Sequence, residues 1–266
     1  MTRRRGNGGW FEAPFLQRVR LIPERVVAGE FPFTLPFLAS GRFGIDFTRA
    51  ITFVVGENGT GKSTLLEAIA GQCGFAAQGG SRDNTLDRAS ADPLAHALRL
   101  SWKPKVTNGY FFRAESFFAL ARHLDEMSPG KYGARELRAQ SHGESFFGLF
   151  ENRLGNNVNA VYLLDEPEAA LSPSRQMAFL TMLHRWQKSC RVQAIIATHS
   201  PILLAYPEAA ILSFDGDELR ETSYRDTEHY RLTKAFLNDP ERHVRHLLAE
   251  DDASNEEAEE GEEPTG

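Results

Sequence analysis

Four short runs along the chain are apolar without alternation: "ITFVV" from Ile51, "AVYLL" from Ala160, "VQAIIA" from Val192 and "AAILSF" from Ala209. Strands buried on both faces have this pattern, as in parallel sheets covered by helices. Between the second and third runs, "SPSRQMAFLTMLHRWQKS" reads as a helix. Ser172 can cap it and Pro173 suits its first turn. Met177, Leu180, Leu183 and Trp186 recur every three residues and are expected to face the sheet. A strand, helix and strand in so short a stretch form a crossover unit, so the two strands should be parallel.

The flanks read differently. "VRLI" and "GRFGIDF", before Ile51, suggest antiparallel strands joined by turns. Residues 72–140 contain one strand-like run, "GYFFRAESFF", and helical patches around Leu94–Leu100 and Ser116–His123. This stretch is expected to form an inserted, mainly helical lobe. Near the end, "TEHYRLTKAFLNDPERHVRHLL" predicts two helices split at Pro240. No internal repeat or sustained heptad is present. The pattern predicts an α/β class with a mostly parallel central sheet, an N-terminal antiparallel β edge and the inserted lobe, forming one domain over 1–249.

Composition changes this picture at the ends. The chain has 266 residues, 41% hydrophobic and 25% charged, which is ordinary for a globular protein of this size. The formal charge of -6 is concentrated in the segment from Glu250, "EDDASNEEAEEGEEPTG", with nine carboxylates and no base. The remaining body has 27 acidic against 30 basic residues, so it offers no strong basic footprint for nucleic acid. The 250–266 tail has too little apolar surface to pack and is expected to be disordered. "MTRRRGNGGWF" lacks the apolar stretch of a secretory signal, and no run is long enough to span a membrane. Cys73 and Cys190 make neither a disulfide framework nor a zinc site. Together these features predict a cytoplasmic protein with no membrane insertion.

The candidate chemistry begins at "VVGENGTGKSTLLEAIAG". Gly56, Glu57, Asn58, Gly59, Thr60, Gly61, Lys62 and Ser63 fit the phosphate-loop (Walker A) pattern, after a buried strand and before a helix that Gly71 should end. The glycines let the backbone come close to phosphate oxygens, and N–H groups at the helix start bind the anion. Lys62 would reach the β- and γ-phosphates, Ser63 would ligate Mg²⁺ and Thr64 would help hold a phosphate. In "VYLLDEPEAALSP", Asp165 ends a buried strand (Walker B), where a carboxylate calls for a cation; it is the second candidate Mg²⁺ ligand. Glu166 follows at the mouth as the candidate general base for water attacking the γ-phosphate. His199, in "IIATHSP", falls at the carboxyl edge of the next parallel strand, where it can donate to that phosphate. In "QSHGES", Ser141 and Gly143 open a predicted helix and suggest a second anion site, useful only if two chains meet head to tail. Phe31, Phe33 and Phe37 are candidates to stack on adenine, with an aromatic core as the alternative.

These motifs together resemble the ATP-binding-cassette (ABC) class of P-loop NTPases. The resemblance covers the phosphate loop, the Asp165–Glu166 strand end, the loop Ala170–Leu171–Ser172–Pro173, the switch His199 and the signature. In the signature Ser141 and Gly143 match, while His142 and Glu144 stand where a glycine and the glutamine are usual. Glu115, in "FFRAES", falls where the class has its glutamine loop. The wording is most similar to small stand-alone bacterial ATPases. The resemblance implies ATP as substrate, Mg²⁺ as cofactor, an ATP-dependent homodimer with Ser141, Gly143 and Glu144 acting in trans, and an unidentified protein partner. Alternatives are a transporter's nucleotide-binding subunit, which the altered signature disfavours; a DNA-repair or phage-defence ATPase, with nucleic acid left open; and a non-catalytic nucleotide module, which would not need Glu166.

Overall fold

The computed structural model describes residues 11–75, 92–114, 158–214, 216 and 219–249. The expectations for Glu115, for Ser141, Gly143 and Glu144, for the patch Ser116–His123 and for the 250–266 tail lie outside the described residues. The chain divides into two compact units, Met1–Ser223 and Tyr224–Gly266.

The first unit contains two sheets. Strands β1 (Leu16–Leu21), β2 (Gly44–Asp46) and β4 (Leu98–Trp102) form an antiparallel sheet in the order β2-β1-β4. Strands β3 (Ile51–Val55), β5 (Gly109–Arg113), β6 (Ala160–Asp165), β7 (Val192–Ala197), β8 (Ala210–Ser213) and β9 (Arg220–Thr222) form the other, in the order β5-β6-β7-β3-β8-β9. It is parallel from β5 to β8, and β9 pairs antiparallel with β8. The four apolar runs are thus the inner strands, and every residue of β3, β6 and β7 is buried. In β1, exposed and buried positions mix, because one face meets water.

Helices cover both faces of the larger sheet. After α1 (Pro36–Ala39), helix α2 (Lys62–Cys73) touches β4 on one side and β6 and β7 on the other. It therefore buries residues nearly all round, including Leu65, Leu66, Ala68 and Ile69. Val161 and Leu163 join this core, whereas Tyr162, one residue out of phase, packs on Trp186 of α4 (Pro173–Ser189) with ring centroids 4.9 Å apart. Alternation along β6 thus places α4 on the opposite face from α2.

The structure corrects several expectations. The buried stripe of α4 is Phe179, Met182, Leu183 and Trp186, while Met177 is exposed. At 3.6 residues per turn, a three-residue repeat drifts round the helix, and steps of three and four follow one face. Ser172 occupies the cap position but accepts no backbone N–H; Pro173 opens the helix as expected. Helix α2 passes Gly71 and ends at Cys73, where Gly74 at φ 79° gives its N–H to Ala70 and Gly71 carbonyls. The patch Leu94–Leu100 is helical only over α3 (Pro93–Ala97), then turns into β4 beside β1. Its short apolar run fits either element, and pairing with β1 decides it. Gln193, fully buried on β7, accepts from Phe15 and Leu16 N–H groups (2.8 Å each) and donates to Leu16 carbonyl (2.9 Å), tying the larger sheet to the start of β1.

In the second unit a 3-10 turn, Tyr224–Asp226, leads to a capping residue, Thr227, whose hydroxyl accepts from Tyr230 N–H. Helix α6 (Glu228–Asn238) follows, and residues 240–249 are again helical after a break at Asp239. The predicted split at Pro240 is present. (α5 is Pro201–Leu204 in the first unit.) Among the described residues, no helix is long and apolar enough to cross a membrane.

Candidate nucleotide site

The site gathers at the carboxyl ends of β3, β6 and β7. Leaving β3, the chain turns through Gly56, exposed Glu57, Asn58 and Gly59, then Thr60 and Gly61, before α2 starts at Lys62. Thr60 closes the turn by giving its hydroxyl hydrogen to Glu57 carbonyl. Gly61 is required twice: its φ is 93°, and an added Cβ would meet Leu35 Cδ1 and Phe37 Cε1 at 2.7 Å. The segment around Leu35 therefore packs directly on the loop. Lys62 is buried, and its Nζ donates to the carbonyls of Gly56 (2.7 Å) and Glu57 (2.8 Å). The loop thus holds a nearly dehydrated cation beside the first N–H groups of a twelve-residue helix.

Ser63 and Thr64 stand on the first turn of α2. Ser63 Oγ donates to Asp165 Oδ1 at 3.0 Å, across 102 residues of sequence. Asp165 is 5% exposed at the end of β6. Burial pushes its carboxyl up to about 6; the Ser63 hydrogen bond and the Arg113 charge pull it down, and Glu166 and Glu67 push it further up. Arg113, the register partner of Asp165 at the end of β5, places Nε 3.8 Å from Oδ2, and its Nη1 pairs with Glu67 of α2 at 2.5 Å. An uncharged hydroxyl and a buried carboxylate on adjacent oxygens suit a hard divalent cation such as Mg²⁺. Ser63 and Asp165 fit as its protein ligands.

Glu166 leaves the strand at φ 50°, ψ 53°, a left-handed conformation rare for a residue with a side chain. Its N–H bonds Ala197 carbonyl at 3.0 Å, tying the ends of β6 and β7. Its side chain, 45% exposed, places Oε1 3.6 Å from His199 Nε2. Asp165, Glu166 and His199, read as separate motifs, therefore meet at one edge. The loop Ala170–Leu171–Ser172–Pro173 follows, with Ala170 and Leu171 buried and Ser172 and Pro173 exposed. Of the aromatic candidates, Phe33 and Phe37 are core residues, Phe37 edge-on to Phe43 and Phe214. Phe31 is 68% exposed on the same segment.

Sequence reasoning missed Arg113, Glu67 and Glu168. Arg113 had a signal: like Asp165, it is a charge at the end of an apolar strand, in "YFFR". Glu168 sits in the 3-10 turn Pro167–Ala170, and its Oε1 accepts His199 N–H at 2.6 Å. "DEPE" contained it, but only folding brings the β7 end to it.

Two family models match the chain. One described as "AAA domain" covers residues 36–110, with the phosphate loop. Another, described as "AAA domain, putative AbiEii toxin, Type IV TA system", covers 149–205, with Asp165, Glu166 and His199. No curated protein gives a significant match. Among solved structures the chain is similar to cbiO1 from Clostridium perfringens, part of the ABC transporter complex cbiONQ, with 16% identity over 88% of this chain and 99% of that one and a TM-score of 0.47. It is similar to the SMC head domain from Thermotoga maritima, with 14% identity over 79% and 98% and a TM-score of 0.43. A dimeric bacterial ABC transporter cassette is similar at 16% identity over 70% and 90%, with a TM-score of 0.42.

Proposed function

We propose that this ABC-type P-loop NTPase hydrolyses ATP with Mg²⁺, using Glu166 as general base and His199 as the γ-phosphate sensor. The observation that carries the reading is the Glu166–His199 pair, 3.6 Å apart, beside the Ser63–Asp165 hydrogen bond at the end of the phosphate loop. A module that only bound nucleotide would not need a half-exposed carboxylate held in a strained backbone there.

Each residue has a task set by its surroundings. Lys62, whose Nζ donates to the Gly56 and Glu57 carbonyls, would give its charge to the phosphate oxygens, a stronger acceptor. The α2 N-terminus adds its N–H groups. Ser63 and Asp165 would hold Mg²⁺, which neutralises developing charge on the phosphates. Glu166 takes the proton of the attacking water. His199, fixed at the next strand end, donates to the γ-phosphate and holds Glu166 in line. Phe31 stacks on adenine: it is the exposed aromatic of the segment that packs on Gly61.

A head-to-tail dimer deepens the same reading. In this reading Ser141, Gly143 and Glu144, the signature residues of the resemblance, act on a partner's γ-phosphate. ATP would then favour the closed dimer and hydrolysis would release it.

Three measurements test this. Purified protein should hydrolyse MgATP, EDTA should stop it, and Lys62→Ala should weaken ATP binding by ~10–100-fold, the loss of a charged hydrogen-bond set. Light scattering should show Glu166→Gln as a dimer with MgATP and a monomer without, and adding Ser141→Arg should return it to monomer. An Mg²⁺-independent or absent activity sinks the enzymatic reading; a monomer at saturating MgATP sinks the dimer alone.

A further inference from the structure

The hydrogen bond between Glu168 and the backbone of His199 has no part in the scheme above. Glu168 Oε1 accepts His199 N–H at 2.6 Å, short for an N–H···O bond. The Thr198 hydroxyl makes a second hydrogen bond to the same carboxylate. Thr198 Oγ1 in turn accepts Ser200 N–H at 3.0 Å, and Ser200 Oγ bonds Gln176 Oε1 on α4. Three consecutive residues, Thr198 to Ser200, are thus pinned from one side.

Glu168 is partly buried, two residues beyond Glu166 in the same turn. Burial pushes its carboxyl up, and the His199 and Thr198 hydrogen bonds pull it down. A carboxylate is a costly way to fill such a position; a backbone N–H alone could be satisfied by a neutral oxygen. What the carboxylate does that packing cannot is join two turns from different strand ends. The turn that carries Glu166 holds, through Glu168, the backbone that carries His199.

Resting on the ATPase reading, we propose that Glu168 is a positioning residue: it clamps the His199 backbone so that the imidazole stands at a fixed distance from Glu166 and from the γ-phosphate. Its assigned task is to hold His199, not to act on the nucleotide itself. Its effect runs through His199, so it should bear on what distinguishes ATP from ADP and on turnover, and not on the phosphate loop. A glutamine keeps the acceptor oxygen and should keep most of the clamp; an alanine should lose it.

The test compares Glu168→Ala and Glu168→Gln, alone and with His199→Ala. Binding of fluorescent ADP should stay within twofold of wild type in all variants. Glu168→Ala should lower the preference for ATP over ADP, and should lower kcat by up to ~10²-fold, the loss that follows when a reacting group shifts by about 1 Å. Glu168→Gln should recover most of both. In the His199→Ala background, Glu168→Ala should add nothing, because the group it positions is gone. Hydrogen exchange supplies a readout that needs no catalysis: the His199 amide should be protected in wild type and Glu168→Gln, and exchange faster in Glu168→Ala. Additive losses in the double variant, failure of glutamine to rescue, or an unchanged His199 amide in Glu168→Ala would each overturn the clamp. Wild-type protein that protects this amide yet does not hydrolyse ATP would overturn the ATPase reading and leave the clamp standing.

Discussion

Ser63 Oγ and Asp165 Oδ1 are 3.0 Å apart, which joins the first turn of the phosphate-loop helix to the end of a strand two positions away in the sheet. β7 lies between their strands, so its end, with His199, completes the same edge. One hydrogen bond thus fixes the two oxygens that suit a divalent cation.

This arrangement has a measurable cost in stability. Asp165 titrates at about 6 in the folded chain, against an ordinary 3.8. Below about pH 4 the carboxyl is protonated folded or unfolded, and contributes nothing. Between about pH 4 and 6 the folded chain keeps a proton that the unfolded chain has lost, so stability falls as pH rises. Above that window the penalty is complete, roughly 3 kcal/mol. Asp165→Asn keeps an oxygen for Ser63 and removes the penalty. Without Mg²⁺ at pH 7.5 it should melt roughly 5–10 °C above wild type, with the gap closing toward pH 4. A variant no more stable than wild type at pH 7.5 would contradict the buried-charge account.

Phe31 and Phe37 separate the adenine contact from the core. Phe31→Ala should weaken ATP binding by roughly 1–3 kcal/mol, the range for an aromatic under a base, and leave the melting temperature unchanged. Phe37→Ala should do the reverse first: it removes a ring 3% exposed, for a loss of about 3–5 kcal/mol of stability. Equal ATP affinity in Phe31→Ala and wild type would remove the stacking assignment.

Gln193 shows what the sequence could and could not convey. The continuous apolar runs, the phosphate loop and the strand-end residues Asp165, Glu166 and His199 were legible, because each rests on local pattern: burial, glycine spacing, a charge after a strand. "VQAIIA" announced a buried strand but not that its one polar side chain would hold Phe15 and Leu16 from 177 and 178 residues away. Arg113 facing Asp165 and Glu168 facing His199 were hidden for the same reason, since register and strand order create those pairs. The short run Leu94–Leu100 can fold either way until β1 lies beside it, so local pattern alone points to a helix where part of it is strand. Gln193→Leu should strand two buried N–H groups and destabilise the chain by about 2–5 kcal/mol in chemical denaturation, with ATP affinity of the folded protein within twofold of wild type. A neutral effect on stability would show that the two sheets do not depend on this clamp.

On the proposed function, Glu166 activates water against bound ATP. The direct measurement is single-turnover hydrolysis of radiolabelled MgATP by wild type and Glu166→Gln, with ATP affinity determined for both. The amide keeps the shape of the side chain and loses the base. ATP affinity should stay within threefold of wild type and hydrolysis should slow by ~10²–10⁴-fold, as for loss of a general base. Glu166→Gln turning over bound ATP at the wild-type rate would contradict that role.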